Sequence, residues 1–197
     1  MHFSTTLLST TLFSLSALAA VIEPIVTAVG INPPESILNA THRGIDIFGP
    51  IPSDAVKVNG HWEAEEGTLA HAWIRAQVDI ERYEDLLQAQ GLPVPAVKKR
   101  QGRAEIGVSL WKQDGCRGSV VYFDNPYYSG FNMEDNGGNF FSVSTSRRSL
   151  RYGEALELRR GVPEDKCRTH HASINGPQPI GCANVGATQC FRLLVLF

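Results

Sequence analysis

Hydrophobic and polar positions follow different patterns in the two halves of the chain. Between residues 69 and 87, apolar side chains recur every three or four residues, which places them on one face of a helix. Those side chains are Leu69, Trp73, Ala76, Ile80, Tyr83 and Leu87. Thr68 is a residue type that begins helices and Gly91 one that follows their ends, so the pattern predicts one amphipathic helix between them. β-Branched residues inside it leave an alternative open, a strand over Leu69–Val78 with a helix from Asp79.

Short apolar runs take over after residue 105, where Gly, Asp, Asn and Pro clusters separate them. Such runs are typical of strands. They are Val108–Trp111, Ser119–Phe123, Phe140–Val143, Ala155–Leu158 and Phe191–Val195. Two shorter candidates, Val56–Val58 and His61–Glu63, precede the predicted helix. We therefore expect a mainly β C-terminal domain, a compact sandwich or barrel, after an α/β N-terminal segment with one helix.

The first residues have the composition of a secretory signal peptide. A run of Leu, Phe, Ser, Thr and Ala ends at Ala17-Leu18-Ala19-Ala20, and the small residues suit cleavage after Ala19 or Ala20. We assign residues 1–19 to the signal. No later segment is apolar enough to span a bilayer, so we expect a secreted, extracellular product without stable membrane insertion.

A tribasic run, Lys98-Lys99-Arg100, follows a proline-containing stretch that disfavours helix and central strand. It resembles the sites cut by the fungal kexin protease, which implies a kexin-like protease as a partner. Residues 20–100 would then be a pro-segment and residues 101–197 the mature domain. The net charge changes at the same point. Residues 21–100 carry 11 acidic and 7 basic side chains, a net charge of −4. Residues 101–197 carry 9 acidic and 11 basic side chains, a net charge of +2.

All four cysteines lie after Arg100, and an even set in a secreted domain indicates disulfides. A weak internal repeat starts at Cys116 and again at Cys167, and Phe131 and Cys182 each lie 15 residues further on. If each repeat is a hairpin closed by its matched positions, Cys167 pairs with Cys182. Cys116 would then pair with Cys190, tying the first strand to the last.

The C-terminal part also resembles known families. Phe123, Tyr128 and Gly130 follow the aromatic and glycine spacing of the βγ-crystallin motif, and Ser149-Leu150-Arg151 lies downstream as in that family. The resemblance implies a crystallin-like β-sandwich. The layout of signal, pro-segment and small cysteine-bearing domain resembles kexin-processed fungal effectors and toxins, including killer toxins.

The residues predict binding rather than catalysis. No nucleophile elbow or zinc-protease motif occurs, and the adjacent His170 and His171 would point to opposite sides of a strand. We expect no metal, no cofactor and no enzyme activity. A net charge of only +2 in the mature part also argues against a nucleic-acid partner.

Two kinds of site remain as candidates. Asn39-Ala40-Thr41 is an N-glycosylation acceptor triplet. Arg and Tyr side chains near the predicted strand ends form a candidate binding surface, because these residue types are enriched at binding hot spots. They are Tyr127, Tyr128, Arg147, Arg148, Arg151, Arg159 and Arg160.

The leading functional hypothesis is a fungal effector or toxin-like protein that binds a protein of the host. The first alternative is an antimicrobial protein that acts on competing microbes. The second alternative is a secreted enzyme with an unrecognised site.

Overall fold

A computed structural model describes residues 32–94, 105–128, 132–133, 138–162 and 165–196. The signal peptide, Lys98, Lys99, Arg100 and Phe131 lie outside these residues, so the predictions made for them stay predictions. The described part contains three helices, α1 (Glu35–His42), α2 (Leu69–Val78) and α3 (Ile80–Ala89). None of these three has the length and apolar character needed to cross a membrane.

Ten strands in the described ranges form two antiparallel sheets, which confirms the mainly β prediction. The strands are β1 (Val56–Val58), β2 (His61–Ala64), β3 (Gly107–Gln113), β4 (Arg117–Asp124), β5 (Asn132–Met133), β6 (Phe140–Ser146), β7 (Glu154–Val162), β8 (Asp165–Asn175), β9 (Ala183–Thr188) and β10 (Cys190–Val195). The larger sheet has the order β1-β2-β4-β3-β6-β9, and the smaller has the order β5-β10-β7-β8.

The single predicted helix is two helices, α2 and α3, which meet at Asp79. The carboxylate of Asp79 accepts a hydrogen bond of 2.6 Å from the hydroxyl of Ser36, which ties the junction to α1. The predicted start is confirmed, since the Thr68 hydroxyl accepts from the backbone N–H of His71. The alternative strand over Leu69–Val78 is wrong, because that stretch forms α2.

The two faces of the larger sheet serve two different cores. On one face, Val108, Leu110 and Phe123 share a buried cluster with Leu156 and other residues of the smaller sheet. On the opposite face, the side chains of β3 and β4 join a cluster that is built mainly from the N-terminal helices. The N-terminal part is therefore packed on the β-sheet, and its strand β2 pairs directly with β4.

The predicted disulfide pairing is wrong. The structure joins Cys116 to Cys182 and Cys167 to Cys190. Cys116 lies in the turn between β3 and β4, whereas Cys167 lies inside β8, so the two cysteines that begin the internal repeat occupy different structural positions.

Strand order explains the observed bridges. Strand β9 lies beside β6, and Asn184 on β9 accepts a hydrogen bond of 2.7 Å from Gly115 N, which brings Cys182 to the β3–β4 turn that holds Cys116. Strand β10 begins at Cys190 opposite Arg159 of β7. The guanidinium of Arg159 in turn donates to the carbonyl oxygen of Cys167 at 2.9 Å.

Candidate functional site

The carboxylate of Glu154, the first residue of β7, accepts hydrogen bonds from several donors. The Tyr128 hydroxyl donates to Oε1 at 2.5 Å. The Arg148 guanidinium donates to both carboxylate oxygens, at 2.7 and 3.0 Å, and the backbone N–H of Arg151 donates to Oε2 at 2.8 Å. Two parallel bonds from one guanidinium fix orientation as well as adding energy. This buried network holds the preceding turn in one geometry.

The network also sets the charge state of its members. Burial alone would raise the pKa of Glu154, but hydrogen bonds from Arg148, Tyr128 and the Arg151 N–H outweigh it, so the pKa lies below its usual value. Burial, together with the bond to Glu154, raises the pKa of Tyr128. The carboxylate is therefore charged and the phenol protonated at neutral pH.

The turn fixed by Glu154 exposes an arginine and a tyrosine. It is closed by a bond from Glu154 N to Arg151 O, and Gly153 adopts φ +78°, which favours glycine. Tyr152 is 89% exposed, and the Arg151 side chain is 60% exposed. Tyr127, next to the anchoring Tyr128, is 61% exposed. We call Tyr127, Arg151 and Tyr152 the aromatic–arginine rim.

The predicted binding surface therefore divides. Tyr128, Arg148 and Arg151 all bond Glu154, and Tyr127 is the chain neighbour of Tyr128. Arg147 instead forms an ion pair of 2.7 Å with Asp124 at the end of β4.

Arg159 and Arg160 lie further along β7 in a separate setting. Arg159 and Arg192 both bond the buried carboxylate of Glu157, Arg159 at 2.7 Å. Burial alone would raise the pKa of Glu157, but these bonds outweigh it and lower the pKa. Arg160 is exposed. Because Arg159 also bonds the Cys167 carbonyl, this second cluster supports the sheet near a disulfide rather than extending the rim.

The remaining candidates occupy regular elements. Asn39 is exposed on α1, while the hydroxyl of Thr41 in the same triplet donates to backbone carbonyls of that helix. His170 and His171 lie in β8: His170 is 2.9 Å from the Ser173 hydroxyl, and His171 donates to the carbonyl oxygen of Val185. Within the described ranges, no group of three or more His, Cys, Asp or Glu side chains is placed to hold a metal ion.

Sequence reasoning missed Glu154 and Tyr152. The available signal was the string Arg151-Tyr152-Gly153-Glu154, in which a glycine suited to a turn follows an aromatic residue and directly precedes a strand. Comparisons of this chain with family profiles, curated proteins and solved structures find no match.

Proposed function

We propose that this chain is the precursor of a secreted fungal effector or toxin-like protein, cut after Arg100 by a kexin-type protease, whose β-sandwich binds a host protein. The observation that carries the proposal is the aromatic–arginine rim: Arg151 and Tyr152 are exposed on a turn that the buried Arg148–Glu154 ion pair holds rigid, and exposed Tyr127 precedes the Tyr128 that bonds the same carboxylate. Binding surfaces gain affinity when their contact residues are fixed before the partner arrives.

Two further features support secretion and host binding. Both disulfides lie after the processing point, in keeping with an oxidising compartment. Tyrosine and arginine side chains are enriched among the residues that dominate protein–protein binding energy. Tyr152 and Arg151 are therefore the residues that we assign to the contact with the target.

Processing is tested by N-terminal sequencing of the secreted product. We expect new chain starts at Gln101 and at Ala20 or Val21. A secreted product that is intact across Lys98-Lys99-Arg100 would refute the processing proposal while leaving target binding open.

Target binding is tested by infiltrating the processed protein into a panel of host tissues. We expect a response that the double variant Arg151→Ala/Tyr152→Ala loses, because the two exposed side chains contribute to contact rather than folding. The matched control is Arg168→Ala, an exposed arginine on β8. Equal loss in both variants would contradict the rim assignment. Growth inhibition of competing microbes, with no host response, would favour the antimicrobial alternative.

A further inference from the structure

One face of the larger sheet is covered by the N-terminal segment and has the chemistry of a protein interface. Trp111 on β3 and Val120 and Tyr122 on β4 point to this face and are at most 1% exposed. Ser144 on β6 accepts a hydrogen bond of 3.0 Å from the Trp111 indole. We call Trp111, Val120, Tyr122 and Ser144 the covered face; it combines two aromatic side chains, one aliphatic side chain and a serine hydroxyl.

Helix α2 supplies most of the side chains that meet the covered face. The ring of Trp73 lies edge-on to Tyr122, with 5.8 Å between ring centroids. His71 lies edge-on to Trp111 at 5.5 Å, and the guanidinium of Arg75 stands over the same indole at 5.5 Å. These aromatic and cation–π contacts add to the burial of large apolar surface.

Polar bonds to strand and turn residues fix the position of the segment. His71 Nε2 donates to the Gly118 carbonyl at 3.0 Å, and Arg75 donates to the Cys116 carbonyl at 3.3 Å. From α3, the carboxylate of Glu81 accepts a bond of 2.8 Å from the hydroxyl of Ser149. Each bond joins a residue before the processing site to one after it.

Backbone pairing continues the contact at the sheet edge. Strand β2 is hydrogen-bonded to β4 in register, with Trp62 opposite Tyr122 and Ala64 opposite Val120. Without β2, the backbone of β4 would lose its partner on that side. Release of the segment would therefore break a sheet as well as expose a core.

Resting on the processing proposed above, we infer that cleavage after Arg100 does not release the N-terminal segment. The processed protein is a complex of two chains, one containing residues 32–94 and the other residues 105–196, held by the covered face and by β2–β4 pairing. All four cysteines lie in the second chain, so the association is entirely non-covalent. The segment is a subunit of the secreted protein.

The test asks whether the N-terminal segment stays bound after a cut, and it does so without depending on natural cleavage. The full chain is prepared with Lys98-Lys99-Arg100 replaced by the recognition sequence of a site-specific protease, cut to completion, and passed through a size-exclusion column in native buffer. We expect both fragments in one peak at the mass of the uncut protein, and two bands on a denaturing gel. Elution of the two fragments in separate peaks would overturn the inference.

Variants test whether the covered face is responsible. In Trp73→Ala, the lost ring and the cavity left behind should weaken association of the cut fragments more than about a hundredfold, so the fragments should separate. The uncut Trp73→Ala protein should still elute as one folded species, because the intact linker keeps the two parts at high effective concentration. Gln88→Ala, at an exposed position on α3, is the matched control and should co-elute like the parent.

A second variant covers the case in which Trp73→Ala misfolds. Arg75→Ala removes the bond to the Cys116 carbonyl and the contact with Trp111, but leaves the apolar core of the segment in place. The cut Arg75→Ala complex should dissociate about tenfold more readily in a dilution series. If the Arg75→Ala and Gln88→Ala complexes dissociate equally, the covered face does not hold the chains together. Absence of cleavage at Arg100 in the natural product would overturn the processing proposal and, with it, a natural two-chain protein, whereas separation of the engineered fragments would overturn the inference even if natural cleavage occurs.

Discussion

At the scale of single residues, Glu154 is the most heavily bonded carboxylate of the candidate site. Replacing it with Gln keeps the shape but removes the charge that Arg148 and Tyr128 both contact. We expect Glu154→Gln to lower the free energy of unfolding by about 1.5–3 kcal/mol, the range for hydrogen bonds to charged groups. Urea denaturation of the full chain measures the change.

Glu105 provides the matched control for that prediction. Its carboxylate pairs with Arg151 at 3.4 Å, and its side chain is 33% exposed. An ion pair in that setting contributes only about 0–1 kcal/mol. Glu105→Gln should therefore leave the urea midpoint almost unchanged. Equal losses of stability in the two variants would show that the contribution of Glu154 does not depend on its burial.

Gly176 packs closely against the backbone of Leu150 and Arg151, next to the rim. A β-carbon at this position would lie 2.2 Å from the carbonyl oxygen of Arg151 and 3.0 Å from the carbonyl carbon of Leu150. Both atoms are backbone, so the turn itself would have to move. We expect Gly176→Ala to destabilise the protein by about 1–3 kcal/mol and to weaken target binding through the displaced Arg151 and Tyr152.

Gly181→Ala is the control, because an added β-carbon there meets no atom within 4 Å. Its unfolding free energy should stay within about 0.5 kcal/mol of the parent. A Gly176→Ala protein with parental stability and binding would show that the turn can shift without cost.

At the scale of elements, the contact of α2 with the larger sheet should depend on pH through His71. Burial is the main cause that lowers the pKa of His71 below 6.5, and Arg75 and Arg43 act in the same direction. The Gly118 carbonyl and Glu66 oppose them but do not prevail. Because the unfolded chain takes up the proton first, the stability due to neutral His71 is complete above pH 6.5 and is lost as the pH falls toward the folded pKa.

His71→Gln tests that dependence, since glutamine can still donate to the Gly118 carbonyl but does not titrate. We expect the parent to lose stability as the pH falls below about 6.5, and His71→Gln to lose less over the same range. The control is His170→Gln, an exposed position on β8. A His71→Gln profile that overlies the parent profile would assign the pH dependence to other groups.

Elements were predictable where local pattern and tertiary burial agree. The apolar runs of β3, β4, β6, β7 and β10 have buried side chains on the sheet faces, and each was predicted. Strand β8 was missed because its sequence, Asp165–Asn175, is polar, and it is a strand through its pairing with β7. Strand β9 was missed because Ala, Gly and Thr dominate it, and its position beside β6 fixes its conformation.

The candidate site was only partly predictable for the same reason. Composition indicated Tyr128, Arg148 and Arg151 as candidates, but nothing local shows that Glu154 joins them, since the bond from Tyr128 spans 26 residues. Arg159 and Arg160 are of the same residue type as Arg151 in the rim, yet they lie further along β7, where Arg159 bonds Glu157 within the smaller sheet. Residue type therefore predicted binding chemistry, while topology decided which residues share a surface.

At the scale of the whole molecule, the two disulfides close loops of different length. Cys116–Cys182 spans 66 residues and Cys167–Cys190 spans 23. On a chain-entropy estimate, the longer loop contributes about 4 kcal/mol and the shorter about 3 kcal/mol. We expect the double variant Cys116→Ser/Cys182→Ser to be less stable than Cys167→Ser/Cys190→Ser by about 1 kcal/mol in urea denaturation.

Peptide mass mapping under non-reducing conditions checks the connectivity first. It should recover Cys116 linked to Cys182, and Cys167 linked to Cys190. Recovery of Cys167 linked to Cys182 would restore the pairing that the internal repeat predicted, and would contradict the strand order that places β9 beside β6.

The pairing of β2 with β4 has a consequence for anyone who produces residues 101–197 alone. Without β2, the stretch Val120–Phe123 becomes an open edge of uncharged, β-prone side chains, which is the type of template on which further strands assemble. A preparation of that fragment would tend toward fibrous or amorphous aggregates. If that fragment showed no activity, the cause would then be aggregation and not the absence of a binding site. The N-terminal segment would protect the protein from self-association by covering this edge.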